Sequence, residues 1–518
     1  MPPTAVKITL IILLLISFSL HGQVGPDDGT RVCSRFIGFS VANMPMETQT
    51  LEIAKGIFAD TTSFNQNIFT TVLLKNDKTT AKVPTFGTDY TWRIKEKKNL
   101  HYFSTLPCPY ADTAKSRLRI VKGSQTDQDY YVLVDKTMCL YDMKGNIAWF
   151  LPGKCLSGTA GTIRDLKLTP QHTVTFIAGN QIREVDCDGN ILWKGPNDGK
   201  VSHDTTEAYH HEFTRLVNGH YMVLGTEQIK VPLPQYHPPA ELPGNISVGK
   251  DGKYYQSIPF GTVIEYDNAG KVIWSWHSSG YFLKSEMFSH YLPDGSYPVI
   301  DVHENAFWFN EKKSVLYVGF KNISRILKIS YPDGKVIADY GNKNPDGSAN
   351  HCSADFCGQH SIRLADNGDL LLFNNNCSTY TNLPQATIFG ETNNMAFTKI
   401  WEYDCIADDI NPSDITAFLE RNKRMAGVFP PDKMMAVSMQ QSAGGNFIDL
   451  PNDEYFVSTS GVLGKMFIIN KLKEIIWSAV LEQRIFPDAP WTTSDTYRAS
   501  IISKEDVDEF ISTADGLR

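Results

Sequence analysis

The sequence predicts an all-β protein, a six-bladed β-propeller with a small N-terminal β module. Three observations lead to this prediction: the length of 518 residues, a hairpin phrase that recurs along the chain, and a second hairpin that precedes most copies. A chain of this length can bury a large repeat domain and still carry an additional module.

The recurring phrase alternates apolar residues, turns at Asp, Asn or Gly, and continues with apolar residues that often include Trp. This pattern is typical of two antiparallel strands joined by a tight turn. The clear copies are CLYDMKGNIAW (139–149), REVDCDGNILW (183–193) and IEYDNAGKVIW (264–274). The weaker copies are LKISYPDGKVI (327–337), KIWEYDC (399–405) and FIINKLKEIIW (467–477). The tryptophans in these copies are expected to pack between neighbouring blades.

A second hairpin lies upstream of most copies. It is found in RLVNGHYMVLG (215–225), RLADNGDLLLF (363–373) and DLPNDEYFVST (449–459), and more loosely in KLTPQHTVTFI (167–177) and FNEKKSVLYVG (309–319). Two hairpins make one four-stranded sheet. Six such sheets in series therefore predict a six-bladed propeller over residues 116–485.

The residues before the propeller divide into two predicted segments. Residues 1–22 combine Lys7 with a short apolar run, which is typical of a secretory signal peptide. Residues 23–115 lack the repeat but contain TTVLLKND (70–77) and YTWRIKEK (90–97), which have the composition of strands. We expect a small β module there.

Helix signals are few. Residues 486–518 are expected to form a C-terminal tail that packs on the propeller, with a helix over 503–514. The best other helix signal lies at 413–425, where Ser413 is a candidate N-cap.

Charge and composition exclude several functions. The net charge is −8 and no run of Lys or Arg is present, so we expect no nucleic-acid partner. No later apolar stretch is long enough to span a bilayer, so we expect no membrane contact after signal cleavage. The leader predicts a secreted or periplasmic protein. No nucleotide-binding glycine motif occurs, and no cofactor is expected.

Three histidines occupy one position of the upstream hairpin. His211, His303 and His360 each lie seven residues before an Asn of the predicted turn. Equivalent positions of successive blades face the central axis of a propeller. The three imidazoles are therefore expected to meet in one central cavity.

Two other interpretations of these histidines remain open. Each histidine can be an ordinary residue of the core or the surface. Three imidazoles can also hold zinc with an open position, although the chain has no HxH or HExxH pair, and we assign no metal ligands. His210, next to His211, is expected on the opposite face of its strand.

At these segments the chain resembles the PAPS-independent arylsulfate sulfotransferases. The matching segments are YHHEFTRLVNGHYMVLG (209–225), DVHENAFWFNEKKSVLYVGFKNISRILKI (301–329), CGQHSIRLADNGDLLLFNNN (357–376) and QQSAGGNFIDLPNDEYFVSTSG (440–461). They cover most of the predicted propeller in order. The resemblance implies a six-bladed propeller behind a small β module, an exported protein, and a possible homodimer through the N-terminal module.

The resemblance also implies roles for individual residues. His360 matches the histidine that becomes transiently sulfurylated, and His211 and His303 match the two other active-site histidines. Cys352 and Cys357 resemble a disulfide that some members carry. Where the family usually has Arg, this chain has Lys321 in GFKN.

Sulfuryl transfer explains why these residue types are needed. A neutral imidazole is a competent nucleophile near neutral pH, so His360 is expected to carry the group. His211 is the candidate acid–base residue. His303 and Lys321 are candidates to hold sulfonate oxygens, together with Asn305, which is expected on the same strand face as His303.

Lysine keeps the positive charge of the family arginine but lacks its two-pronged donor geometry. Arg325 is the nearby arginine that could take that role. The predicted function is transfer of a sulfuryl group from an aryl sulfate to a phenol through a sulfohistidine, without PAPS. The alternative is a catalytically inactive secreted propeller that acts as a binding or matrix protein, and Lys321 is the feature that favours it.

Overall fold

A computed structural model describes most of the chain. The described residues are 24–41, 49–74, 78–95, 97–109, 115–123, 130–159, 161–282, 291–298, 301–341, 355–376, 384–392, 396–405, 444–460, 464–484, 486, 488–494 and 496–512. The predicted signal peptide (1–22) and the predicted helix at 413–425 lie outside them.

Two small sheets form the N-terminal part. One has the strand order β1-β3-β6 and the other β2-β8-β7-β4-β5. Their strands are β1 (Val24–Gly25), β2 (Thr30–Val32), β3 (Phe36–Val41), β4 (Gln49–Lys55), β5 (Ile68–Leu74), β6 (Lys78–Lys82), β7 (Asp89–Ile94) and β8 (His101–Thr105), with helix α1 (Thr61–Gln66) before β5. Both strands predicted in this segment, β5 and β7, are confirmed. They do not pair with each other, because β4 lies between them.

Six further sheets follow, which we name A to F in chain order. Sheet A contains β10 (Tyr130–Val134), β11 (Cys139–Asp142) and β12 (Ile147–Phe150); sheet B contains β13 (Ile163–Leu168), β14 (Val174–Ala178), β15 (Gln181–Val185) and β16 (Ile191–Lys194). Sheet C contains β17 (His210–Arg215), β18 (Tyr221–Pro232), β19 (Ile246–Val248), β20 (Tyr254–Tyr266) and β21 (Val272–His277), followed by helix α2 (Ser279–Phe282).

In the remaining three sheets, as in sheet B, the strands pair antiparallel in the order of the chain. Sheet D contains β22 (Glu304–Asn310), β23 (Val315–Phe320), β24 (Arg325–Ser330) and β25 (Val336–Tyr340); sheet E contains β26 (His360–Leu364), β27 (Leu370–Asn374), β28 (Gln385–Glu391) and β29 (Phe397–Asp404). Sheet F contains β30 (Asn446–Leu450), β31 (Glu454–Ser458), β32 (Lys465–Asn470), β33 (Ile475–Gln483) and β34 (Thr492–Thr493).

Segments from both ends of the chain complete sheets A and F. Strand β35 (Ala499–Ser503) pairs with β10, and β9 (Ser116–Lys122) pairs with β33. The first strand of each sheet contacts the first strand of the next, from β13 through β17, β22, β26 and β30. Strand β30 also contacts β35, and β35 contacts β13. In sheet A, β35 occupies the edge position that the first strand holds in the other sheets, so we count it as a first strand. The six first strands, β13, β17, β22, β26, β30 and β35, therefore form a closed series of neighbours.

The repeats predicted the hairpins correctly except at one place. All five upstream hairpins and the phrase copies at 139–149, 183–193, 264–274, 327–337 and 467–477 are antiparallel pairs. The copy KIWEYDC (399–405) is wrong as a hairpin. Residues 399–404 lie within the single strand β29, which pairs with β28 and ends at Asp404.

The tryptophans of the repeat were predicted to pack between neighbouring blades, and two of them bond to the adjacent sheet: Trp149 donates to the carbonyl of Cys187 and Trp477 to that of Met143. Trp149, Trp193 and Trp477 are at most 8% exposed. Trp274 is not part of this buried set; its ring packs edge-on to Tyr331. Burying a side chain of this size contributes on the order of 2–3 kcal/mol, so these contacts hold the sheets to one another.

The predicted C-terminal helix is confirmed as α3 (Lys504–Ser512). Its buried face, Val507, Phe510 and Ile511, packs with the elements β3, β10 and β35. The helix therefore joins the N-terminal sheets to sheet A. No helix in the described ranges is long and apolar enough to cross a membrane.

Candidate active site

Irregular pairing at the start of three first strands brings the histidines inward. His360 pairs with Phe373 just before a bulge, whereas His211 lies inside a bulge of β17. His303 directly precedes β22. His211 and His303 have φ angles of 59° and 54°, a left-handed conformation that few non-glycine residues adopt. The histidines therefore reach one site by different backbone routes, and their equal spacing in the sequence is only an approximate structural equivalence.

His360 is fully buried, and its ring orientation is fixed. Its Nδ1 lies 2.7 Å from Oδ1 of Asn375, which can only accept, so Nδ1 carries the hydrogen. Within the described residues, Nε2 of His360 has no hydrogen-bond partner. Burial, with weaker effects of Arg498, Lys321 and His303, lowers the pKa of His360 to about 3. His360 therefore has a neutral ring with an available lone pair on Nε2.

A chain of hydrogen bonds fixes the tautomer of His211 as well. Nε2 of His210 donates to the carbonyl of Gly225 (3.0 Å), which leaves Nδ1 of the neutral His210 ring as an acceptor. Nδ1 of His211 therefore donates to it across 2.8 Å, and Nε2 of His211 keeps its lone pair. Burial, followed by the neighbouring histidines, lowers the pKa of His211 well below its usual value. His210 is thus a partner of His211, although the sequence placed it on the opposite face.

His303 completes the cluster. The ring centres of His211 and His303 lie 5.0 Å apart. His360 interacts electrostatically with both rings: His303 lowers the pKa of His360, and His360 lowers the pKa of His211. Nδ1 of His303 lies 3.1 Å from the Asp301 carboxylate, which accepts its hydrogen. Nε2 of His303 has no hydrogen-bond partner in the part of the chain that the structure describes. The three predicted histidines are therefore brought together.

The two predicted cations have different surroundings. Lys321 is half-buried, its backbone N–H donates to the carbonyl of His303 (2.9 Å), burial lowers its pKa, and its charge lowers the pKa of His360. The Arg325 side chain is 2% exposed and its guanidinium pairs with Asp339. This ion pair argues against Arg325 as a substitute for the family arginine and leaves Lys321 as the cation of this segment beside His360.

Asn305 differs from its predicted geometry. It lies in a bulge after Glu304, so it does not share a regular strand face with His303. Its Nδ2 donates to the carbonyl of Gln359 (2.7 Å), directly before His360. Its Oδ1 is buried and has no hydrogen-bond partner among the described residues. Asn305 therefore joins the segments that carry His303 and His360.

Arg498 is a site residue that the sequence did not reveal. Its guanidinium is 4% exposed and donates to Asp165 (3.0 Å) and Glu212 (2.8 Å). Nη2 also donates to the carbonyl of Asn305 across 3.3 Å. Glu212 lies in the same bulge as His211, and Asn305 lies two residues after His303. The Arg498 side chain therefore holds together the segments that carry His211 and His303. Arg498 lies in the C-terminal tail, where no repeat or motif marks it.

Replacing Arg498 with methionine is expected to destabilise the protein by about 3–5 kcal/mol, because Asp165 and Glu212 would remain buried without their main partner. The shift of the urea midpoint at unchanged slope measures this effect. Arg119→Met is the matched control: it removes a partly exposed partner of Glu482, which keeps Arg117, and should cost less than about 1 kcal/mol. Equal midpoints for the two variants would contradict the assigned role.

The other chemistry predicted near the site is only partly described. In the described ranges no group of three His, Cys, Asp or Glu side chains is placed to hold a metal ion. Cys352 lies outside the described residues, so its pairing with Cys357 stays a prediction. Asn375, the partner of His360, belongs to the string NNN (374–376), but nothing in that string indicates which asparagine faces the histidine.

The structure thus holds a histidine cluster in an all-β frame, and His360 in it is a buried neutral imidazole with an open Nε2, a group suited to act as a nucleophile or a base. A family model described as Arylsulfotransferase (ASST) matches residues 109–407. The chain belongs to the arylsulfotransferase family.

Other comparisons give only distant matches. No curated protein matches the chain. A protein of unknown function from Bacteroides caccae aligns at 11% identity and a TM-score of 0.36, over 75% of this chain and 98% of that chain. A periplasmic gluconolactonase from Pseudomonas aeruginosa aligns at 8% identity and a TM-score of 0.32, over 75% and 99%.

Proposed function

We propose that this protein transfers a sulfuryl group from an aryl sulfate to a phenol through a sulfohistidine at His360, without PAPS or another cofactor. The observation that carries the proposal is the open Nε2 of His360, a buried neutral imidazole whose Nδ1 hydrogen is held by Asn375. The nearby rings of His211 and His303 and the ammonium of Lys321 supply the remaining groups that the reaction needs.

The first half-reaction forms the sulfuryl enzyme. Nε2 of His360 attacks the sulfur of the donor, the bond between sulfur and the aryl oxygen breaks, and its electron pair leaves with the phenoxide. The new N–S bond makes the imidazole ring cationic. Asn375 stabilises that ring by accepting the Nδ1 hydrogen, and Lys321 and His303 stabilise the charge on the sulfonate oxygens.

The second half-reaction transfers the group onward. Nε2 of His211 takes the proton of the acceptor phenol, and the resulting phenoxide attacks sulfur. The N–S bond breaks and its electron pair returns to Nε2 of His360. The proton on His211 is then available to the phenoxide that leaves in the next cycle, so the overall exchange of one phenol for another is balanced.

The architecture belongs to the same proposal. The closed series of first strands supports sheets A–F as the six blades of a propeller. The proposed division keeps a signal peptide (1–22), an N-terminal β module (23–115), a propeller (116–485) and a tail (486–518) that packs on it and supplies β35. An exported protein, secreted or periplasmic, and a homodimer through the N-terminal module are further parts of the proposal.

Turnover with p-nitrophenyl sulfate and an added phenol tests the function. The expected result is release of nitrophenolate that depends on the phenol, with formation of the sulfated phenol. No release under conditions in which another arylsulfotransferase reacts would favour the inactive binding protein. Release without sulfated phenol would indicate hydrolysis instead of transfer.

The rate of the first half-reaction is expected to change less than about twofold between pH 8 and pH 5. Only neutral His360 reacts, and a pKa of about 3 keeps the ring neutral over this range. If the imidazole had the usual pKa of roughly 6.5, the rate would fall about 30-fold at pH 5, because most of the rings would be protonated. The measurement is the single-turnover burst of nitrophenolate across pH, and a fall with a midpoint near pH 6.5 would contradict the assigned environment.

Lys321→Arg is expected to keep or raise the rate of the burst. Arginine keeps the positive charge and adds a second donor suited to a sulfonate. Lys321→Met is the matched control, and its burst rate is expected to be about 10–100-fold lower, because the charge beside the sulfonate is removed. A large loss in Lys321→Arg would show that the ammonium group itself is required.

A further inference from the structure

A cavity lies beside the six first strands, away from the three histidines. It has a volume of about 690 Å³ and is lined by residues of β13, β17, β22, β26, β30 and β35. Along β26, His360 is the first residue, whereas Arg363 and Leu364 line this cavity. Its volume is in the range of small-molecule sites. The proposed sulfuryl-transfer mechanism makes no use of it.

A cluster of ionic side chains lies between the histidines and this cavity. Arg498 pairs with Asp165 and Glu212, and Lys167 pairs with both carboxylates. Arg363 lies 3.4 Å from Glu212. The cluster holds two carboxylates and three cations, so its net charge is +1. The carboxylates are 2–3% exposed, whereas Lys167 and Arg363 are 16% and 15% exposed and line the cavity. The floor of the cavity therefore presents positive charge.

The walls above this floor are apolar and aromatic. The Arg363 guanidinium lies 5.3 Å from the ring centre of Trp308, which lines the cavity. Leu216, Leu364 and Ile501 also line it. Four carboxylates belong to the same lining, beside five cationic side chains, and disfavour multiply charged anions: Glu212, Glu311, Asp366 and Asp506. A cavity with a cationic floor, an apolar wall and nearby acidic groups suits one kind of ligand, a monoanion with an apolar body.

We propose that this cavity is a second binding site, for a small monoanion with an apolar or aromatic body such as an arylcarboxylate or arylsulfonate. The acidic head pairs with Arg363 and Lys167, and the body packs on Trp308 and the leucines. Binding here requires no sulfuryl transfer, so the site stands independently of the proposed function.

Equilibrium binding of naphthalene-2-sulfonate, measured by calorimetry, tests the site. Its uncharged analogue naphthalene-2-sulfonamide is the ligand control. Saturable binding to wild type and to His360→Ala is expected, with the sulfonamide at least about tenfold weaker. Arg363→Met and Trp308→Leu are each expected to weaken binding of the sulfonate about tenfold or more. Lys321→Met, beside the histidine cluster, should leave this binding unchanged.

Two results of these binding measurements would overturn the proposal. Affinity that is unchanged in Trp308→Leu and lost in Lys321→Met would place the ligand at the histidines and overturn the proposal. Absence of saturable binding to the wild type would overturn it too. If Arg363→Met does not fold, Trp308→Leu decides, since Trp308 is outside the ionic cluster. An intact binding site in a protein without turnover would refute only the proposed function.

Discussion

Replacing His360 with alanine is expected to abolish sulfuryl transfer, with turnover falling on the order of 10⁴-fold or more. The variant removes the one nucleophilic atom on which the proposed mechanism depends, and among the described histidines no other combines full burial with a hydrogen-bonded Nδ1. The steady-state release of nitrophenolate in the presence of a phenol measures the loss.

His237→Ala is the matched control, because His237 is an exposed histidine. It should keep the wild-type rate. The circular dichroism and the urea midpoint of His360→Ala show whether its loss is chemical, since the substitution removes a side chain that is fully buried. Activity retained in a folded His360→Ala would refute the assignment of the nucleophile.

Asn375→Leu is expected to lower the rate of sulfuryl-enzyme formation by about 10²–10⁴-fold, although Asn375 does not touch the substrate. Leucine removes the acceptor that holds the hydrogen on Nδ1 of His360, so the ring can place it on Nε2 instead. A wrong imidazole tautomer costs factors of this size in other enzymes. The nitrophenolate burst in a single turnover measures the change.

Asn375→Asp separates this positioning role from packing. A carboxylate still accepts the Nδ1 hydrogen, but its charge favours the imidazolium and raises the pKa of His360 from about 3. Partial recovery of the rate near pH 8, with a new loss towards pH 5, is the expected signature. A burst that stays independent of pH in Asn375→Asp would show that this contact does not set the protonation of His360.

The hairpins could be predicted from the sequence because each carries its own turn residues and alternation. Strands β15 and β16, for example, surround CDGN (187–190), which is a local signal. Strand β35 could not be predicted in this way. It completes sheet A from the far end of the chain and has no hairpin partner beside it in sequence. Its pairing is a tertiary contact that leaves no periodic pattern.

The histidines illustrate the same limit within the site. Counting from the turns predicted that His211, His303 and His360 meet, and the structure brings them together. The count could not predict the bulges, so it placed His210 away from His211 and Asn305 beside His303. Bulge residues are set by local backbone geometry, and a single inserted residue changes which side chain faces the cavity.

Arg498 and Asn375 show what remains beyond such reasoning. Arg498 acts through ion pairs with residues about 290 and 330 positions earlier in the chain. Asn375, which directly follows β27, acts through its hydrogen bond to His360 at the start of β26. Neither residue type is diagnostic by itself, since buried arginines and asparagines commonly serve packing and turns. Only the assembled sheets identify them as the groups that set the charge and the tautomer at the site.

The most direct test is the intact mass of the protein after a short pulse with an aryl sulfate and no acceptor, followed by peptide mapping. The expected result is one added sulfuryl group per chain, located on His360, lost on addition of a phenol and absent in His360→Ala. A wild-type protein that turns over donor without any such adduct, or an adduct on another residue, would contradict the account.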